Sequence, residues 1–215
     1  MKHKRFTMIE LLAVMVISIL ILGIGLPAFY RLAKGSAVEG ASRMLGRQLL
    51  VTKNLAMAKR RRVAVLLPSD TGPEEMHYRA MAVAYVALGR QFQDTIPNTQ
   101  ITWFPVGALV ADIGSGNDSA TYQVVHNVDW AKYGYPGVPA SDCRAVIFRL
   151  TGQLDDYTHR YVTISEGSML GGEFVAENTG NSFTCDVDGF TGRVSWRDQV
   201  DAIELEKMKV IDERK

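Results

Sequence analysis

From Leu11 to Phe29 the chain runs for nineteen residues, LLAVMVISILILGIGLPAF, without a single charge. A helix of that length spans about 28 Å, close to the hydrocarbon thickness of a bilayer, so the run predicts a membrane segment near the start of the chain. Lys2, Lys4 and Arg5 precede it, and the next basic residue is Arg31. That asymmetry places the extreme N-terminus in the cytoplasm and everything after Tyr30 outside. A cleaved secretory signal is the alternative. Its apolar region is normally about 7–15 residues and ends at a small-x-small site, whereas Pro27 and Phe29-Tyr30-Arg31 stand where that site belongs.

Glu10 sits on the threshold of this segment. A carboxylate carried to the bilayer centre costs roughly 2.5–3.5 kcal/mol, so it either stays at the interface beside Arg5 or finds a cationic partner. Gly23, Gly25 and Pro27 fall within five residues of one another. Together they weaken helical hydrogen bonding and remove one backbone donor. A kink or local melting is expected there, which an ordinary membrane anchor would show as well.

Beyond the bilayer the helical pattern continues over residues 31–62. Val38, Ala41, Leu45, Leu49, Thr52, Leu55 and Ala56 recur at three- and four-residue steps, with Arg43, Arg47 and Lys53 elsewhere on the wheel. This is a helix with one face made to pack on a domain. Lys59-Arg60-Arg61-Arg62 ends the pattern, where cations suit the C-terminal end of the helix dipole. A nucleic-acid patch at Arg60, Arg61 and Arg62 is the alternative. It is poorly supported, because the cluster has no interleaved aromatics and the whole chain, with 24 basic and 23 acidic residues, has a net charge of +1.

After residue 62 the period shortens to that of strands. Val63–Leu67, Met81–Leu88, Ile101–Phe104, Ala145–Leu150, Tyr161–Ser165, Phe183–Val187 and Arg193–Trp196 are β-branched or aromatic runs separated by Gly and Pro. They predict a mostly antiparallel β domain over residues 63–197. Between Val106 and Asp142, Gly, Ser, Asn and Pro read as long loops with one strand near Tyr122–Val125. With 215 residues and 47% apolar content, one such domain plus the N-terminal helix uses the whole chain.

Residues 4–12, Lys-Arg-Phe-Thr-Met-Ile-Glu-Leu-Leu, resemble the N-terminus of type IV prepilins and type II secretion pseudopilins: a basic leader, Gly, then Phe-Thr-Leu-Ile-Glu-Leu. In that family a prepilin peptidase cuts before the Phe and methylates the new amine, and the fifth mature residue is Glu. With Phe6 as mature residue one, Glu10 falls fifth, and Pro27 falls twenty-second, where family members also carry a kinking Pro. Arg5 stands where the family carries Gly. Cleavage between Arg5 and Phe6 is expected, with a retained leader as the alternative. The resemblance implies that Glu10 meets the N-terminal ammonium of a neighbouring subunit in a dry helical core. An unpaired charge there is penalised, so that pair sets the axial register.

The later elements extend the likeness. Val-Ile-Phe-Arg-Leu-Thr-Gly at 146–152, Arg-Tyr-Val-Thr-Ile at 160–164 and Thr-Gly-Arg-Val at 191–194 look like the GspH/FimT class of minor pseudopilins and minor pilins. The class implies an α+β, pilin-like fold, in which a long N-terminal helix packs on a mostly antiparallel sheet.

Cys143 and Cys185 both lie in the exported part, where thiols can be oxidised. A single disulfide closing their loop would contribute about 4 kcal/mol in the chain-entropy model; two free buried thiols are the alternative. No metal-ligand spacing links His77, His126 and His159, and no hydrolase or phosphate-loop motif occurs, so neither an enzyme, a metal site nor a cofactor is expected. Asp186-Val187-Asp188-Gly189 reads as a strand end entering a turn rather than a calcium loop, and Asp155-Asp156 as a solvated hairpin turn. From Asp198 to Lys215 the sequence reads as a charged helix or tail, capped by Asp198, with Val200, Ile203, Met208 and Ile211 on a narrow stripe.

The sequence thus divides into a leader (1–5), a transmembrane or filament-core helix (6–30), an amphipathic helix (31–62), a periplasmic β-rich domain (63–197) and a charged tail (198–215). The leading expectation is a minor pseudopilin of a type II secretion-like system. It would sit in the cell inner membrane, pass through the prepilin peptidase, and assemble with other pseudopilins into a periplasmic pseudopilus that supports export, its β domain touching neighbours or a secreted substrate. Nucleic acid is not an expected partner. The alternatives are a DNA-binding minor type IV pilin for uptake and an unprocessed single-pass envelope protein.

Overall fold

The computed structural model describes residues 8–97, 99–111, 123–171 and 173–198; the side chains of residues 24–35, 173–174, 176–180 and 197–198 are not described. A single helix, α1 (Met8–Lys59), opens the described chain. Its 52 residues extend about 78 Å. The helix is unbroken across Gly23, Gly25 and Pro27, so the backbone shows no local melting there.

From Ser36 onward α1 is packed on the rest of the molecule. Val38, Ala41, Leu45, Leu49, Thr52 and Ala56 are completely buried, while Leu55 is partly buried against the same core. Arg43 and Arg47 face water. The three- and four-residue spacing therefore reads directly as the packed face. The helix ends in a Schellman motif: Arg60 takes the left-handed conformation at φ 51°, its N–H donates to the Met57 carbonyl, and the Arg61 N–H donates to the Ala56 carbonyl. The chain then enters β1 (Arg62–Leu66) without a linker.

Two sheets follow. The first contains β1, β2 (Ala80–Val86), β3 (Phe92–Thr95), β4 (Thr102–Trp103), β6 (Gln123–Val128) and β7 (Ser141–Phe148), in the order β3-β2-β1-β7-β6 with β4 also on β2. The second contains β5 (Ala108–Ala111), β8 (Arg160–Leu170), β9 (Glu173–Val187) and β10 (Val194–Asp198), in the order β10-β9-β8-β5. All of the strand pairs are antiparallel. The architecture is α+β, a long helix against mostly antiparallel sheet, as expected.

The first sheet is buried on both faces, which explains why β1 and β2 are apolar without alternation. Val63, Val65, Met81, Val83, Tyr85, Val146 and Phe148 face α1 and share its core with Val110, Val162, Ile164, Cys185 and Val187 of the second sheet. Ala64, Leu66, Ala80, Ala82, Ala84, Val86, Cys143, Ala145 and Ile147 face the other way, into a second cluster. That side is rich in alanine because the sheet curls: a bridge from Gln91 to His126 brings its two outer strands together. Trp130 plugs the curl, completely buried, with its indole N–H donating to Ser141 Oγ at 2.8 Å, and the Tyr133 hydroxyl donates to the Val83 carbonyl at 2.9 Å.

Several expectations need correction. The stretch 106–142 is not mainly loop: it holds β5, β6, a 3₁₀ turn at Trp130–Tyr133 and the start of β7, with residues 112–122 outside the described set. β6 is the strand expected near Tyr122–Val125, whereas the four residues of β5 are too short to signal one. β3, Phe-Gln-Asp-Thr, carries no apolar run at all and exists because β2 offers it a ladder. Asp198 ends β10, and residues 199–215, where the charged helix or tail is expected, lie outside the described set.

Candidate assembly interface

The first four turns of α1 contrast with the rest of the helix. Twelve large apolar side chains between Met8 and Leu22 are exposed, from 48% for Val16 to 88% for Met8. They include consecutive residues, Val14 to Ile17 and Ile19 to Leu22, and so cover every side of the rod, not a stripe. Among the described residues no helix is long and apolar enough to cross a membrane. The uncharged run extends to Phe29, past Gly23, beyond which side chains are not described until Ser36.

Glu10 lies exposed in the first turn of α1, where the positive end of the helix dipole favours a carboxylate. Arg5 and Phe6 lie outside the described residues. Gly23, Gly25 and Pro27 are placed within the helix.

At the other end of α1 the basic cluster is largely engaged within the head. The Arg61 guanidinium lies 4.1 Å from the centre of the Tyr85 ring and donates to Gln93 Oε1 at 2.8 Å. Arg62 Nε donates to Asp155 Oδ1 at 2.9 Å. Arg60 occupies the helix-terminating position. These contacts assign the cations to closing the helix and fastening it to the sheet.

Asp155 and Asp156 are likewise not a solvated turn. Arg90 reaches Asp155 at 3.2 Å and Asp156 at 3.1 Å, and the buried Arg160 also pairs with Asp156. Burial pushes the Asp156 carboxyl upward, but the charge of Arg160 and the hydrogen bonds around it outweigh that and hold it below the usual carboxylate range. The sequence signalled the acids but not their partners, because Arg62 and Arg90 lie far away along the chain.

Two motifs that the sequence presents separately meet in space. Gly192, at φ 60°, lies so close to the Gly152 carbonyl that an added Cβ would overlap its oxygen. Phe148–Gly152 and Thr191–Val194 therefore form one junction. Asp188 organises it, accepting from the Thr191 N–H at 2.7 Å, the Thr191 hydroxyl at 2.8 Å and the Phe190 N–H at 3.1 Å. Those donors hold the Asp188 carboxyl below its ordinary range. Lys53 of α1 donates to the Thr191 carbonyl at 2.8 Å, tying the helix to the junction. Asp186–Gly189 is the strand end and turn that the sequence suggests.

The disulfide is not formed. Cys143 on β7 and Cys185 on β9 are free and buried. They belong to different sheets and point into different clusters, so they never face one another. Burial pushes both thiols up. Among the described residues no group of three or more His, Cys, Asp or Glu could hold a metal ion.

The sequence matches no protein-family model and no curated protein. Among solved structures the fold is similar to the type IV minor pilin FimU of Pseudomonas aeruginosa (strain PAO1), in two crystal forms. One gives a TM-score of 0.43 at 12% identity, over 74% of this chain and 87% of that one; the other gives 0.41 at 12%, over 74% and 91%. It is also similar to EpsH, the minor pseudopilin from the type 2 secretion system of Vibrio cholerae, with a TM-score of 0.41 at 10% identity over 75% of this chain and 96% of that one. These likenesses are remote, and no residue role is carried over from them.

Proposed function

We propose that this chain is a structural subunit of the minor pseudopilin kind, acting by assembly and not by catalysis. It is held in the cell inner membrane by its N-terminal helix, with the β head in the periplasm, and is then drawn into a short pseudopilus of a type II secretion-like export system. One observation carries the reading: α1 is packed on one face from Ser36 to Ala56 and bare on all sides from Met8 to Leu22. Burying those twelve half-exposed or better exposed side chains at about 1 kcal/mol each offers on the order of 10 kcal/mol. A bilayer supplies that environment first, and the helices of sibling subunits supply it later.

In this reading the prepilin peptidase cuts between Arg5 and Phe6, Phe6 supplies the methylated amine, and Glu10 answers the amine of a neighbour. Gly23, Gly25 and Pro27 let the rod bend within a continuous helix. The Arg61 and Arg62 contacts within the head favour this reading over DNA uptake.

Glu10→Gln is the test. The variant should insert into membranes as the parent does and fail to co-assemble with partner pseudopilins, measured by cross-linking of sheared or overproduced filaments. Normal incorporation overturns the register role. Mass analysis of the N-terminal peptide from membrane fractions should show a chain beginning at methylated Phe6; an intact Met1–Arg5 leader overturns the cleavage.

A further inference from the structure

The crown of the head, at the C-terminal end of α1, is assembled from segments 59–62, 87–91, 149–160 and 188–193. Arg62 pairs with Val86 and Val63 with Phe148, which brings the loops after β2 and β7 to the end of the helix. Gly152 lies against Met57, and Lys53 reaches Thr191, which adds the β9–β10 turn. Leu88 is 78% exposed here and Phe190 64%, with Leu150 exposed as well. Phe190 stacks on Tyr157 at 5.6 Å, and the Arg149 guanidinium lies 5.0 Å from the centre of the Tyr157 ring. Tyr157 and Arg90 are held at φ 61° and 60°, a conformation that costs a non-glycine residue stability and persists only where its surroundings fix it. The four segments carry eight Lys and Arg against three Asp, in a chain whose net charge is +1. The crown is thus apolar, aromatic and cationic, as a protein-binding surface is.

The foot of the head, at the opposite end, is the β8–β9 hairpin with the β4–β5 turn beside it, where Pro105 lies against Gly40 of α1. β8 leaves the crown at Arg160 and runs eleven residues to Leu170, roughly 35 Å away. Its last pair with β5 is Glu166 with Ala108, and the last pair of β9 with β10 is Phe183 with Asp198. Beyond these, residues 167–170 and 173–176 pair only with each other among the described strands. A two-stranded ribbon is marginal in water without a surface to pack on. Leu170, at its turn, is 73% exposed, and Val106, next to the Gly107 carbonyl that accepts from the Gly167 N–H, is 91% exposed. Segment 167–181 contains two acids, Glu173 and Glu177, and no base.

We propose that the foot of one copy docks on the crown of another, seating Leu170 and Val106 against Phe190, Leu150 and Leu88 and setting the acidic ribbon beside the cationic loops. The two surfaces lie at opposite ends of one head, so they cannot meet within a chain. The contact is heterologous, and it stacks heads with their α1 helices parallel instead of closing a dimer. Copies side by side in a flat bilayer hold their crowns at one height, so the contact forms only as subunits leave the bilayer for a filament. It rests on the assembly proposed above and adds the surfaces that the heads use.

The test co-produces full-length Phe190→Cys and Leu170→Cys copies, in which Cys143 and Cys185 stay buried, and oxidises sheared filaments and membranes from the same cells. Filaments should yield a disulfide-linked dimer with one copy of each variant, at least fivefold above the membrane yield, and either variant alone should yield none. Chains that enter filaments without forming the mixed dimer overturn the contact and leave the assembly reading standing; chains absent from filaments overturn both. Like-with-like disulfides, or equal yields in the two fractions, also overturn the contact. Phe190→Asp in the full chain should lower incorporation into filaments at least fivefold, and parental incorporation overturns the proposal. So does salt-sensitive binding of duplex DNA by the parent that Phe190→Asp abolishes, because nucleic acid is then the occupant of the crown.

Discussion

Gly192→Ala probes the junction that fastens α1 to both sheets. At φ 60° a non-glycine residue pays about 1–2 kcal/mol for the left-handed conformation. The added methyl must also displace the Gly152 carbonyl, a backbone atom that cannot rotate away, and overpacking of that kind costs about 1–3 kcal/mol. The two together predict a loss of about 2–5 kcal/mol. For a chain of this size that lowers Tm by roughly 5–15 °C. Gly89→Ala is the matched control: φ is 76°, and no heavy atom lies within 4 Å of the added Cβ. It should lose only the conformational part. The assay is a thermal melt followed by circular dichroism on the full-length chain in micelles, parent and both variants at one pH. If Gly192→Ala and Gly89→Ala melt together, the close approach to Gly152 contributes nothing and the reasoning is wrong.

Three further outcomes follow from the same geometry. Native protein should resist maleimide at both thiols, and denaturation without reductant should expose two reactive cysteines; failure of both to react after denaturation would mean a disulfide. The Asp156 carboxyl is held low in the fold, so its contribution is complete above the ordinary carboxylate range and is lost as pH falls below about 4. Asp156→Asn should therefore flatten the acid limb of a stability-against-pH curve, and an unchanged limb would count against the ion-pair network. Arg62→Gln should destabilise the head by about 1–3 kcal/mol by leaving Asp155 short of a partner; an unchanged Tm with lost nucleic-acid binding would return the basic cluster to a surface role.

The packed face of α1 could be read position by position, because helical period is a local property and six of the seven expected residues are completely buried. All eight expected strands exist, within a few residues of their expected limits apart from longer β8 and β9. β3 and β5 escaped notice for a different reason. Phe-Gln-Asp-Thr and Ala-Leu-Val-Ala are too short and too ordinary to signal a strand, and they become strands only because β2 and β8 present open ladders. The alanines of β1 and β2 likewise look like neutral filler until the curl of the sheet makes small side chains necessary.

The order of residues alone determined a bare apolar rod, a helix with one packing face, and a β-rich head, since each depends on side-chain period over a few turns or strands. Tertiary structure alone decided that the two cysteines face separate cores and that Arg61 and Arg62 reach across to Tyr85 and Asp155. It also decided that Asp155 and Asp156 anchor an ion-pair network and that the Phe148–Gly152 and Thr191–Val194 motifs form one junction. Each of those facts joins residues tens of positions apart, and only the packing of α1 against two sheets brings them within bonding distance.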